Sequence, residues 1–245
     1  MKIAHLILSK TLVVFFILFS LASCHTSIDL GRTDGDGNVV TQKRTFTEKF
    51  DKIEVNTGIE VVVSQNDIAS VEVEIDENIQ SMITTTVENG VLIVSSSEPY
   101  NTNSSPIVRV KMPYIAGLKT SSGATIKSGN TLKTTSIIVD SSSGSEISIE
   151  VEADYISMES TSGSSIDVIG KALKAETSSS SGSDIDAGKL MANEVFSQVS
   201  SGSTTYVYPI ISLKGKASSG GDIRYKNIPQ NLDKDESSGG SIKKD

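Results

Sequence analysis

Apolar residues alternate with polar ones over most of the chain. The runs KIEVNTGIEVVVSQ, SVEVEID, TTTVENGVLIVSSS and IVRVKMPYI keep this alternation, and Phe50, Ile53, Val55, Ile59, Val61 and Val63 stay in one phase on both sides of Gly58. A period of two predicts β-strands with one buried face, and Glu88-Asn89-Gly90 between two such runs predicts a hairpin. From Thr120 onward a longer period is superimposed. Serine followed by glycine recurs at Gly123, Gly144, Gly163, Gly182, Gly202, Gly220 and Gly239, at intervals of 21, 19, 19, 20, 18 and 19. Three places after each glycine stand Ile126, Ile147, Ile166, Ile185, Thr205, Ile223 and Ile242. Ahead of the bend, alternation selects Ala116 with Leu118, Ile137 with Val139, Ile156 with Met158, and later Val195 and Leu213. Each unit therefore predicts strand, Ser-Gly bend, strand and short turn.

A fixed period of 19–20 residues is the mark of a solenoid, in which each unit covers its neighbour's apolar face. Stacked in register, equivalent residues sit about 4.8 Å apart, so the serines and glycines form ladders along the stack. Glycine suits a bend that needs positive φ, and serine can bond nearby backbone there. A disordered serine-rich linker would not hold isoleucine in fixed phase with glycine. The expected fold is all-β, a β-helix-like solenoid of short stacked strands, with the segment before the repeats as degenerate early rungs. Apart from one turn near Ile79 to Ile83, helical periodicity is absent.

The first 23 residues depart from this pattern: Lys2 and Lys10 precede an apolar run that ends in Leu21-Ala22-Ser23-Cys24. The run is too short for a membrane span, which takes about 20 apolar residues, and reads as a signal peptide. Leu-Ala-Ser-Cys looks like a lipobox, with cleavage before Cys24 and acyl chains such as palmitate on its thiol and new amino terminus. Cys24 is the only cysteine and so cannot make an internal disulfide. His25 follows it, so the aspartate associated with inner-membrane retention is missing and the outer membrane is favoured. Residues 24–45 read as a lipid-anchored flexible tether, and 46–245 as one β-solenoid domain.

Loss of the leader leaves 20 basic against 30 acidic residues. No basic cluster appears, which argues against nucleic acid as a partner; the membrane is reached through the lipid. The mature chain has one histidine, His25, which excludes a Ser-His-Asp triad or a histidine-rich metal site in the folded body. No cofactor motif is present.

The remaining candidate chemistry is acidic. Glu146, Asp184 and Asp222 lie two places after their glycines, and Asp167 and Asp186 four places after; these places face outward in the predicted rung. Asp167 and Asp186 on adjacent rungs would stand about 5 Å apart, near the spacing of a retaining glycosidase pair, and their oxygens could also hold Ca²⁺. The plainer reading is a solvated acidic face that keeps the stack soluble. Tyr206 and Tyr208, two apart on one face, could stack on a sugar or simply pack.

The stretches FDKIEVNTGIEVVVSQND, VEIDENI, VENGVLIVSS and VRVKMPYIAGLKTSSGATI, with the Ser-Gly repeats after them, resemble the putative auto-transporter adhesin, head GIN domain family over residues 46 to 245. The resemblance implies an exported, often lipidated envelope protein with a right-handed β-helix-like fold, and it supplies no catalytic residues. The expectation is a non-enzymatic cell-envelope lipoprotein whose solenoid surface serves binding, adhesion or scaffolding, with a glycan or protein as ligand. A carbohydrate-active β-helix enzyme using outward carboxylates and a purely structural spacer are the alternatives. Oligomeric state and the membrane face occupied are not legible.

Overall fold

The computed structural model describes residues 31–245, so the leader, Cys24 and His25 lie outside the described residues. The fold is an all-β solenoid of about seven turns built from stacked parallel strands. Its upper part rises in sequence order through β10 (Gly117–Thr120), β11 (Thr125–Ser128), β12 (Leu132–Ser141), β13 (Glu146–Thr161), β14 (Ser165–Ser180), β15 (Asp184–Val199), β16 (Thr204–Ala217), β17 (Asp222–Tyr225), β18 (Asn231–Glu236) and β19 (Ser241–Lys244). Strands β13 to β16 are long because each finishes one rung and begins the next.

Register makes Ile126, Ile147, Ile166, Ile185, Thr205, Ile223 and Ile242 one unbroken column. None of them is more than 2% exposed. Ile137, Ile156, Ala175, Val195 and Leu213 form a second buried column on the other side of the bend. Ala116 departs from its expected place: it is half-buried, and its neighbour Ile115 turns inward instead.

At each bend both residues are left-handed. The glycines have φ between 69° and 77°, and the serines before them, Ser122, Ser143, Ser162, Ser181, Ser201, Ser219 and Ser238, have φ between 47° and 60°. Such a pair of positive φ values makes a type I′ turn, closed for instance by the Ser145 N–H donating to the Ser142 carbonyl and the Ser164 N–H to the Thr161 carbonyl, each at 3.3 Å. Each turn is tied to the next: the Gly144 N–H donates to the Ser162 carbonyl at 3.1 Å, Gly163 to Ser181 at 3.2 Å and Gly182 to Ser201 at 3.1 Å.

Inside this corner the lining is polar. Thr120, Ser141, Ser160 and Ser179 are buried on one side of the turn and Ser145, Ser164, Ser183 and Ser203 on the other. Ser164 Oγ donates to the Ser141 carbonyl at 2.7 Å, accepts from the Thr161 N–H at 3.1 Å and meets Ser160 Oγ at 2.9 Å. Buried hydroxyls are tolerated because they satisfy one another and the backbone.

The lower part of the stack is not in chain order. It comprises β1 (Thr33–Asp34), β2 (Val39–Arg44), β3 (Lys52–Val55), β4 (Glu60–Gln65), β5 (Ser70–Asp76), β6 (Ile83–Glu88), β7 (Val91–Ser96), β8 (Tyr100–Asn101) and β9 (Ile107–Met112). Residues 52–65 form a rung whose Thr57-Gly58 corner has φ of 63° and 65°, and the Gly58 N–H donates to the Ser122 carbonyl at 3.1 Å. This rung lies between two later ones: β3 pairs with both β7 and β10, and β4 with both β9 and β11. The early segment thus joins the stack as expected, with the chain doubling back beneath its own first rung.

Antiparallel strands close the lower end: β6 on β7 through the Asn89-Gly90 turn, β5 on β9, and β2 on β5. The expected helical turn is a 3-10 helix, Glu77–Met82. Within the tether expected over 24–45, Val39–Arg44 instead form the six-residue strand β2 and β1 pairs with β8; residues 24–30 of it lie outside the described residues. Backbone ladders hold these strands while their side chains stay largely exposed, so no apolar period announced them.

Candidate functional surface

The outward acids sit where strand alternation puts them, on the side that follows the Ser-Gly corner. Asp167 pairs in register with Asp186, and Glu146 shares a column with Ser165, Asp184, Thr204 and Asp222. Burial raises the Asp167 carboxyl above its ordinary range, and Asp186 beside it adds to the rise while Lys189 opposes it. Asp186 spends one oxygen accepting the Gly188 N–H at 2.9 Å. Asp222 is enclosed by cations, with Arg224 at 2.8 Å and Lys243 at 3.4 Å. The face is therefore acidic through Glu146, Asp167, Asp184 and Asp186, and further along the stack becomes an ion-paired cluster of Arg224, Lys226 and Lys243 with Asp222 and Asp245.

Tyr206 continues the Asp167 and Asp186 column beside this cluster. Arg224 and Lys226 lie over its ring, 5.8 and 5.2 Å from the centroid, which is cation–π range. A register shift carries Tyr208 alongside Met191, so the two tyrosines share a strand but have different surroundings. Among the described residues, no three His, Cys, Asp or Glu side chains are grouped to hold a metal ion. No described helix is long and apolar enough to cross a membrane.

Alternation alone does not identify the corner opposite the Ser-Gly turns. There the ladder is broken by register shifts between Asp167 and Ile169, Ala187 and Met191, and Ala192 and Glu194. Gly170 has φ 125°, and a Cβ there would lie 2.0 Å from the Val151 carbonyl oxygen, so only glycine fits. The kinked backbone turns Leu173 (55% exposed), Met191 (40%) and Ile210 (38%) outward. With Ala153 they line an open groove of about 560 Å³, flanked by Lys133 and Lys171 and by Glu152 and Asp154. A signal for it exists in the sequence: Ala172-Leu173, Leu190-Met191 and Ile210-Ile211 are adjacent apolar pairs, and neighbours in a strand cannot both face the core.

Residues 49–229 match the family described as putative auto-transporter adhesin, head GIN domain. No curated protein matches the sequence. Among solved structures, a putative adhesin from Bacteroides fragilis superposes with a TM-score of 0.80 at 18% identity, covering 86% of this chain and 99% of that one. A putative adhesin from Parabacteroides merdae gives 0.70 at 19% identity, covering 87% and 99%. A putative lipid binding protein from Parabacteroides distasonis gives 0.70 at 20% identity, also covering 87% and 99%. At these identities the likeness is one of fold.

Proposed function

Because the chain belongs to the putative auto-transporter adhesin, head GIN domain family, we propose that it is a non-enzymatic adhesin of the cell envelope. In this reading Cys24 carries the lipid that holds it to the outer membrane, and the solenoid presents the opposite-corner groove to a protein ligand. The observation that carries the reading is the groove itself: Leu173, Met191 and Ile210, from three successive rungs, are exposed together along one groove. Exposed apolar residues gathered within a charged rim mark an interaction site. Leucine, methionine and isoleucine favour an apolar peptide segment over a sugar, which is held by aromatic platforms and hydrogen bonds. Lys133, Lys171, Glu152 and Asp154 at the rim would fix its orientation.

The test uses cells displaying the wild type or the variant Leu173→Ser, Met191→Ser, Ile210→Ser on immobilised purified surface proteins, glycans and lipid vesicles. The expected result is attachment to a protein, at least tenfold weaker in the variant, with the adhesin removable by protease from intact cells. Attachment equal in both, attachment to glycans or vesicles alone, or full protease protection on intact cells would contradict the proposal.

A further inference from the structure

The upper end of the solenoid leaves a ladder open. Among the described residues, β18 pairs only with β16 and β19 only with β17, so the far side of each strand has no strand beside it. An unguarded edge of this kind is a template for a strand of another chain. Register shows what sets this rung apart from those beneath it. The core column of Val139, Met158 and Thr177 ends in Lys234, and that of Ser141, Ser160 and Ser179 ends in Glu236. The rungs between add Ser197 with Gly215 to the first column and Val199 with Ala217 to the second, so the charge appears only at the edge.

Both side chains reach across to β19. Lys234 Nζ donates to the Ile242 carbonyl, and Glu236 Oε1 accepts the Ile242 N–H. Ser241 and Asp245 donate their own N–H groups to Gly221 and Tyr225 of the rung below. Ile242, of the opposite parity, therefore directs its N–H and C=O to the open side, where a further strand would bond them. Lys234 Nζ also lies 5.2 Å from the centroid of the Tyr225 ring. Ile242 is 2% exposed although no described rung covers it, whereas Leu232, on β18 at the same level, is 40% exposed.

We propose that Lys234 and Glu236 form an end cap that keeps a strand of a second copy of this chain from adding to the upper edge. A further layer would bury both charges in columns that are core everywhere below, and the Ile242 groups it would bond are already taken. A second copy is the partner excluded because a two-fold contact brings the same edge onto itself, so each open ladder would meet another of equal length. The lower end offers no such match, since antiparallel strands close it.

The experiment measures the mass of the purified full chain in mild detergent by light scattering, with circular dichroism to follow the fold and hydrogen exchange at the Ile242 amide. The wild type is expected to be a monomer, and Lys234→Val, Glu236→Val combined to double its mass as concentration rises. Asp233→Asn, Asp235→Asn combined, which removes outward charges from the same strand, should stay monomeric. The Ile242 amide should exchange about tenfold or more faster in Glu236→Ala than in the wild type, and remain protected in Glu236→Gln, which keeps the acceptor. A folded Lys234, Glu236 variant that stays monomeric would overturn the proposal, and so would equal association of the wild type or the aspartate variant. Equal Ile242 exchange in the wild type and Glu236→Ala would overturn it as well, and decides the matter if the double variant does not fold.

Discussion

The two corners of each rung solve different problems. At the Ser-Gly corner the same two left-handed residues recur seven times, each glycine N–H bonded to the carbonyl of the next rung where a next rung exists. At the opposite corner the register slips, the backbone kinks at Gly170, and apolar side chains reach water. A left-handed conformation costs an ordinary residue about 1–2 kcal/mol, so repeating it on serine makes sense only where the stacked hydrogen bonds repay it each time. Regularity at one corner thus carries the architecture and leaves the other free to vary.

The largest effect should come from neither corner but from the column between them. Ile166→Asp buries a charge with no partner and should cost more than about 4 kcal/mol or prevent folding, whereas Ser165→Asp, its outward neighbour, should cost at most about 2 kcal/mol through repulsion from Glu146 and Asp184 in its column. Chemical denaturation of both decides it, and similar losses would mean that the inward phase is misplaced.

Next comes the architectural corner against the open one. Gly163→Val forces a branched residue to a φ of 70° and should cost at least about 1–2 kcal/mol, while Leu173→Ser should leave Tm nearly unchanged. If Leu173→Ser proved the more damaging, the exposed residues would be structural and the groove would lose its meaning.

Ser164→Ala is subtler. It removes the hydroxyl that meets Ser160, the Thr161 N–H and the Ser141 carbonyl, and should cost about 1–3 kcal/mol. Ala124 occupies the equivalent buried place one rung below Ser145, so the corner does not need a hydroxyl at every rung.

The smallest effect concerns Asp167. Its carboxyl is raised, first by burial and then by Asp186, so the folded chain holds this proton to higher pH than the unfolded chain does. Stability from this group is therefore greatest with the proton on, falls as pH rises from the ordinary carboxylate range through the raised value, and stays reduced at neutrality. Asp167→Asn should stabilise by less than about 1 kcal/mol near pH 7, and not at pH values below the ordinary carboxylate range. Paired melts at the two pH values measure it.

Much of this was legible in sequence because two periods coincide: alternation of two fixes the buried face, and glycine marks the bend. The isoleucine column, the Asn89-Gly90 hairpin and the outward acids all follow from those two rules. What was not legible depends on contacts between distant segments. Phe50 to Val63 kept the right phase, yet nothing local says that residues 91–112 slide beneath them. The left-handed serines were hidden because serine has no intrinsic preference for that conformation; the ladder imposes it. Asp76 looks like any acid after a strand until the fold buries it.

Native-state hydrogen exchange tests the contrast between corners most directly, because it reads the ladder bond by bond. The Gly144, Gly163 and Gly182 amides, though at surface turns, are expected to exchange only through near-global unfolding, while the amides of 188–193, Tyr208, Ile210 and Ile211 exchange through local opening. Equal protection at both corners, or faster exchange at the Ser-Gly turns, would contradict it.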